Sequence, residues 1–196
     1  MAHAMNFSGS LYTATGQRKY LTPKERSRFL KVAAQASPEV ATLCLTLAHT
    51  GGRISEVLAI TGASLKGTEG FLTVRSLKKR RSDVFRDIPI PPDLSSRLGV
   101  VHSGVTATDD RLWTLSRSRA WQLVKGVMHS ADIESGPHAT PKGLRHAFAL
   151  HAVRTGVPLH LVQRWLGHAS MVTTAIYLQV IGQEEVEIAA RMWRDG

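Results

Sequence analysis

The chain reads as a mainly helical α+β domain with one small antiparallel sheet. Helix-start signals recur along it, one pair of β-rich runs flanks a single basic turn, and no repeat or low-complexity tract interrupts the pattern. Residues 1–20 are polar and read as a loose, flexible N-terminal arm, leaving 21–196 as the domain proper. Thr22-Pro23-Lys24-Glu25 joins an N-cap, a proline at the first helical position and a glutamate at the third, which is a capping box. Phe29, Leu30 and Ala33 supply the apolar stripe behind it. Ser37-Pro38-Glu39 opens a second helix through Val40, Leu43, Leu47 and Ala48, which Gly51-Gly52 ends. Arg53 follows at once and starts a short helix running to Ile60.

Residues 70–76 and 84–90 read as the two strands of a hairpin around the basic turn Leu77-Lys78-Lys79-Arg80-Arg81-Ser82-Asp83, and Pro91-Pro92 stops the sheet. Residues 116–130 have helical periodicity, with Trp121, Leu123, Val124 and Val127 as the expected core face. Thr140-Pro141 caps a helix reaching Gly156, Val157-Pro158 starts the next, and Gly167 halts it. Ser170 caps a helix expected to contain Tyr177, and Glu184 to Trp193 forms a last amphipathic one.

Twenty-five Lys and Arg against fifteen Asp and Glu give a net charge of +10. Such a balance favours a polyanion, and nucleic acid is the commonest one in a cell, although the same charge also serves solubility. No apolar run approaches the ~20 residues that span a bilayer, and residues 1–10 have neither the basic start nor the apolar stretch of a signal peptide. Cys44 is the only cysteine, which excludes a disulfide framework, and its leucine neighbours suit a buried structural thiol in a reducing cytoplasm. His146, His151, His160 and His168 are spread over several segments without metal-ligand spacing, and no glycine-rich phosphate loop is present. Neither a metal nor any other cofactor is therefore expected.

Transfer of a phosphodiester without metal or nucleotide needs a nucleophile, a proton donor for the leaving oxygen and cations around the phosphorane. Arg53 stands at a helix start after two glycines, Lys78 in the hairpin turn, and Lys142 one helical turn before Arg145. His168 follows a helix-ending glycine, with Tyr177 nine residues later. Each alone is unremarkable: a tyrosine on an apolar helix is usually core, and a surface arginine usually just solvated.

Together these residues resemble the tyrosine recombinases, the phage integrase family. Thr50-Gly51-Gly52-Arg53-Ile54-Ser55-Glu56-Val57 is similar to the first arginine box of that family, and Gly143-Leu144-Arg145-His146-Ala147-Phe148-Ala149-Leu150-His151 to the second. Leu166-Gly167-His168 followed by Thr173-Thr174-Ala175-Ile176-Tyr177 resembles the terminal histidine and nucleophile segment. Lys78 falls between the boxes, where the family carries its catalytic lysine, and the order holds from about Thr22 to Val180.

The resemblance implies a catalytic-domain fold and a site-specific recombinase or integrase that cleaves DNA through a 3′-phosphotyrosyl link to Tyr177. Arg53 and Arg145 would grip non-bridging oxygens and Lys78 would protonate the departing 5′-oxygen. His168 would bind the phosphoryl group or help deprotonate Tyr177, Lys142 would donate to a phosphoryl oxygen, and Glu56 would orient the contacting residues from behind. Lys79, Arg80 and Arg81 would hold the DNA backbone. The implied setting is duplex DNA, a homotetramer on paired sites with accessory DNA-bending proteins, in the cytoplasm with the nucleoid and away from membrane. The family usually has histidine where Lys142 stands, and most members carry an N-terminal core-binding domain that residues 1–20 cannot supply. The sequence is compatible with an isolated catalytic domain or a natural short form. A regulator that binds DNA without strand exchange and a relaxing type IB topoisomerase-like enzyme remain the alternatives.

Overall fold

A computed structural model describes residues 11–65, 70–77, 84–105 and 109–180. Eight α-helices and one two-stranded antiparallel sheet are present among them. α1 (Pro23–Gln35) begins as expected: Thr22 accepts from the Glu25 amide, and the Glu25 carboxylate accepts from the Thr22 amide at 2.7 Å. α2 (Pro38–Thr50) is buried from Ala41 to Leu47 without a polar face, the mark of a helix enclosed on all sides. It packs against α1, α4 (Pro92–Val101), α5 (Arg117–Ser130) and α6 (Pro141–Arg154) and forms the centre of the main core. Cys44 is fully buried within it, and burial pushes its thiol up to about 12.

α3 (Ile54–Val57) is shorter than the expected Arg53–Ile60 helix, with Arg53 as its N-cap. β1 (Phe71–Arg75) pairs with β2 (Phe85–Pro89) so that Val74 faces Arg86 and Leu72 faces Ile88. A two-stranded sheet is marginal alone; this one is held by Leu72, Val74 and Ile88, all fully buried. Pro91-Pro92 does stop the sheet, but Pro92 also begins α4, a helix that the sequence reading lacks. On α5 the buried residues are Ala120, Val124, Val127 and Met128, while Trp121, expected in the core, is 44% exposed with the Lys125 ammonium 5.9 Å from its ring centre. One residue of helical phase makes the difference: the inward stripe runs through Ala120, not through its larger neighbour.

Residues 11–20 do not behave as a loose arm. Tyr12 bridges to Arg18, Leu11 is buried, and the Arg18 guanidinium donates to both Glu25 carboxylate oxygens at 2.7 and 2.5 Å, fastening the segment to α1. Residues 1–10 and the expected helix Glu184 to Trp193 lie outside the described residues.

A second, smaller apolar cluster joins Leu11 to Phe148, Leu150 and Val153 of α6, to Val162 and Leu166 of α7 (Leu159–Leu166), and to Ile176 and Tyr177. α8 (Met171–Ala175) ends before the tyrosine. Tyr177 lies in the 3-10 turn Ile176–Val180 that follows, and not in the α-helix expected there.

Candidate active site

α6 starts where Thr140 accepts from the Gly143 amide at 3.0 Å. A side chain at Gly143 could not be accommodated, since its Cβ would fall 1.7 Å from the His138 carbonyl oxygen. The helix is buried from Gly143 to Leu150, and two of those residues are the polar Arg145 and His146. Buried polar side chains need partners: Arg145 has two, and His146 has one, at Nδ1. Arg145 donates from Nη1 to the Gly51 carbonyl at 2.8 Å and from Nη2 to the Leu166 carbonyl at 2.7 Å. It thereby ties the glycine break after α2 to the end of α7. Gly51 is left-handed at φ 60°, and a Cβ there would sit 2.5 Å from the Phe148 ring, so glycine is required on both counts. Burial, reinforced by the Arg53 charge, pulls the Arg145 guanidinium down to about 10. It remains cationic, with no carboxylate in ion-pair range among the described residues.

Arg53 donates its amide to Glu56 Oε2 at 3.1 Å and its guanidinium to Oε1 at 2.7 Å. Glu56 is 1% exposed and also accepts from Arg86 at 2.6 Å. Burial alone would raise its carboxyl, but the Arg86 charge and hydrogen bond, the Arg53 amide and the Arg53 charge outweigh it and hold the group below the usual carboxylate range. Arg86 is the residue that motif reading misses. It spends its donors on Glu56, on Ser76 at 2.7 Å and on the Trp165 carbonyl at 2.8 Å, locking the hairpin to α3 and α7. The signal lay in the β2 alternation, which puts Arg86 on the inward face with Ile88.

His168 follows Gly167, left-handed at φ 66°. Its Nδ1 shares a 2.9 Å hydrogen bond with Thr174 Oγ1, and its ring lies 10° from parallel to that of Tyr177 with centres 6.5 Å apart. Burial first, then the charges of Arg145 and Arg53, push His168 down to about 3, so it is neutral near pH 7. Tyr177 is 1% exposed. Its hydroxyl lies 3.0 Å from Nδ1 of His146. Burial pushes the phenol up to about 12 against the opposing pull of Arg145 and Arg53. His146 is driven down to about 4 by burial, then by Lys142, Arg145 and Lys19.

The structure thus brings together Arg53, Glu56, Arg145, His168 and Tyr177, and adds Arg86 and His146. Lys142 is exposed on the first turn of α6, close enough for its charge to act on His146. Lys78, Lys79, Arg80 and Arg81 lie outside the described residues. One buried and one half-buried guanidinium beside a protonated phenol, with two neutral imidazoles, form a set that can receive one anionic phosphate and activate one oxygen toward it.

Comparison with known proteins places the fold and the family. The tyrosine recombinase XerA of Pyrococcus furiosus is 30% identical over 182 residues, covering 88% of this chain and 61% of that protein. A crystal structure of XerA recombinase superposes with a TM-score of 0.72 at 26% identity, over 88% of this chain and 64% of that one. The catalytic domain of bacteriophage HP1 integrase has the same fold, with a TM-score of 0.66 at 21% identity over 88% of this chain and 93% of that domain. The phage integrase family model matches residues 19–184. That match runs from before the first arginine box to beyond Tyr177, most of the chain, and the chain belongs to the phage integrase family.

Proposed function

We propose that this chain is a tyrosine site-specific recombinase, cutting and rejoining duplex DNA through a 3′-phosphotyrosyl bond to Tyr177. The observation that carries the reading is the buried Tyr177 hydroxyl, held on a neutral imidazole within the electrostatic reach of Arg53 and Arg145. Residues 21–196 act as the catalytic unit. Arg53 and Arg145 hold the non-bridging oxygens, and their charge offsets the negative charge that grows in the phosphorane. Glu56, between Arg53 and Arg86, keeps the first of these guanidinium groups in place. His168, with Nδ1 engaged by Thr174, presents Nε2 to the phosphoryl group. Lys142 donates to a phosphoryl oxygen from the helix start, Lys78 protonates the leaving 5′-oxygen, and Lys79, Arg80 and Arg81 grip the backbone.

The phosphotyrosyl ester conserves the energy of the bond it replaces, so rejoining needs no cofactor. Because Tyr177 is 1% exposed, its hydroxyl must be uncovered toward the phosphate for cleavage. The working assembly is a homotetramer on paired sites, aided by DNA-bending proteins, in the compartment that holds the chromosome. Among the described residues no helix is long and apolar enough to cross a membrane.

The test is a pool of nicked duplexes with randomised cores, incubated with the chain and recovered by attachment that survives denaturation. Mass spectrometry of the proteolysed adduct should place a nucleotide on the peptide carrying Tyr177. Recovery of a non-covalent binding site with no adduct would instead support a regulator, and relaxation of plasmid without sequence enrichment a topoisomerase.

A further inference from the structure

The geometry points to His146 as the group that takes the Tyr177 hydroxyl proton during strand cleavage and returns it on religation. This rests on the strand-cleavage reading above and assigns a step that the resemblance leaves with His168.

Position decides between the two histidines. Tyr177 Oη is 3.0 Å from Nδ1 of His146, and the rings are tilted 53° with centres 5.9 Å apart, so an edge nitrogen of His146 meets the hydroxyl. His168 lies nearly parallel to the Tyr177 ring, and its Nδ1 is taken by Thr174. Among the described residues His146 is the one hydrogen-bond partner of the Tyr177 hydroxyl. With the hydroxyl as donor, Nδ1 carries the lone pair and Nε2 the proton. That tautomer leaves one unsatisfied group, because Nε2 of His146 is buried without a partner. The opposite tautomer strands both the phenol proton and an Nε2 lone pair. With Nε2 unanchored, no second hydrogen bond sets the basicity of this imidazole, unlike the usual oriented histidine.

The groups that face His146 keep the proton on Tyr177 in the free protein. Lys142 and Arg145 on α6 and Lys19 from the N-terminal segment press on it, and His168 stands nearby. With the imidazole near 4 and the phenol near 12, the proton stays on tyrosine. A phosphodiester entering between Arg53 and Arg145 supplies the negative charge that offsets these cations. It makes an imidazolium tolerable at the moment when the phenolic oxygen, bonding to phosphorus, becomes more acidic. The Oη–H bond then breaks toward Nδ1 as the Oη–P bond forms. The P–O5′ bond breaks, and the 5′-oxygen takes its proton from the Lys78 ammonium. Religation runs the same transfers in reverse.

The experiment uses a nicked duplex recovered from the randomised pool by its attachment to the wild-type chain. If the wild type attaches to no duplex, the strand-cleavage reading falls and this assignment with it. Given attachment, His146→Gln keeps a hydrogen-bonding side chain but accepts no proton. Its single-turnover cleavage at pH 7 should fall about 100-fold or more while affinity for the duplex is unchanged. The deficit should shrink as pH rises, and shrink again when residue 177 is 3,5-difluorotyrosine, a more acidic phenol. Wild-type rates in His146→Gln, or a deficit indifferent to both pH and phenol acidity, would overturn the assignment. Should His146→Gln not fold, the otherwise unaltered chain carrying difluorotyrosine at 177 decides. An acid limb of the rate profile that stays put supports titration of His146, and one that moves with the phenol rules it out.

Discussion

Arg86 Nη2 lies 2.6 Å from Glu56 Oε2, joining residues thirty positions apart through side chains that are 4% and 1% exposed. The pair is buried beneath Arg53, whose guanidinium takes the other carboxylate oxygen at 2.7 Å. The Arg53 guanidinium is thereby held by a carboxylate that a second, buried guanidinium holds in turn. Removing one partner of a buried ion pair strands the other, at a cost of about 3–5 kcal/mol. Arg86→Met should therefore lower the free energy of unfolding by an amount in that range in urea titrations. Glu56→Gln should cost less, because the amide still accepts from one arginine. Equal stability of Arg86→Met and wild type would show that the pair does not hold the hairpin to α3 and α7.

Acid should destabilise the chain in two stages. The folded values of His49, His146 and His168 are depressed to about 4, 4 and 3, so the unfolded chain takes up protons first as pH falls. Their contribution is complete above the unfolded histidine value of about 6.5 and is lost as pH drops from there through the folded values. Each can steepen the decline by up to about 1.4 kcal/mol per pH unit. Glu56, also depressed, adds its own loss below the unfolded carboxylate value of about 4.3. Denaturant midpoints measured from pH 7.5 to 4 should fall, and His146→Gln should flatten the upper part of that fall. A flat profile from pH 6.5 to 5 would contradict the neutral folded state of these histidines.

Lys142 has two measurable consequences. Its charge helps hold His146 down, so Lys142→Ala should raise the His146 titration midpoint followed by NMR. The same variant should slow strand cleavage, by at most about 100-fold, since the side chain is exposed. Lys142→His should keep much of the rate, because the position only has to donate to a phosphoryl oxygen. Full activity in Lys142→Ala would remove the residue from the phosphate's surroundings.

Arg145→Lys keeps the charge and loses the fork. One ammonium cannot reproduce donors to both the Gly51 and Leu166 carbonyls. Stability should drop by about 2 kcal/mol and cleavage by at least about 100-fold, read by denaturation and by single-turnover rates. Retained cleavage would mean that the guanidinium is a strut between α2 and α7 and not a phosphate ligand.

What pattern could and could not reveal follows from where each residue's information lies. Arg53, Glu56, Arg145, His168 and Tyr177 sit inside short boxes whose glycines and caps announce them, and the structure gathers them at one site. Arg86 carries no such local mark. Its role comes from a strand face that packs against α3 and α7, a tertiary fact. His146 stood in full view beside Arg145, yet only the fold brings Tyr177 to its nitrogen. α4 went unseen because two prolines read as a stop, while the second also suits the first turn of a helix. The 3-10 turn under Tyr177 has the apolar spacing of an α-helix over so few residues, so sequence alone does not tell the two apart.

Covalent catalysis by Tyr177 is tested with labelled nicked duplex on denaturing gels, comparing wild type with Tyr177→Phe. The substitution removes one oxygen from a side chain that is 1% exposed, so fold and DNA affinity should survive while the protease-sensitive shifted band disappears. A band that persists in Tyr177→Phe, or a wild-type chain that binds its recovered duplex and never forms one, would contradict the account.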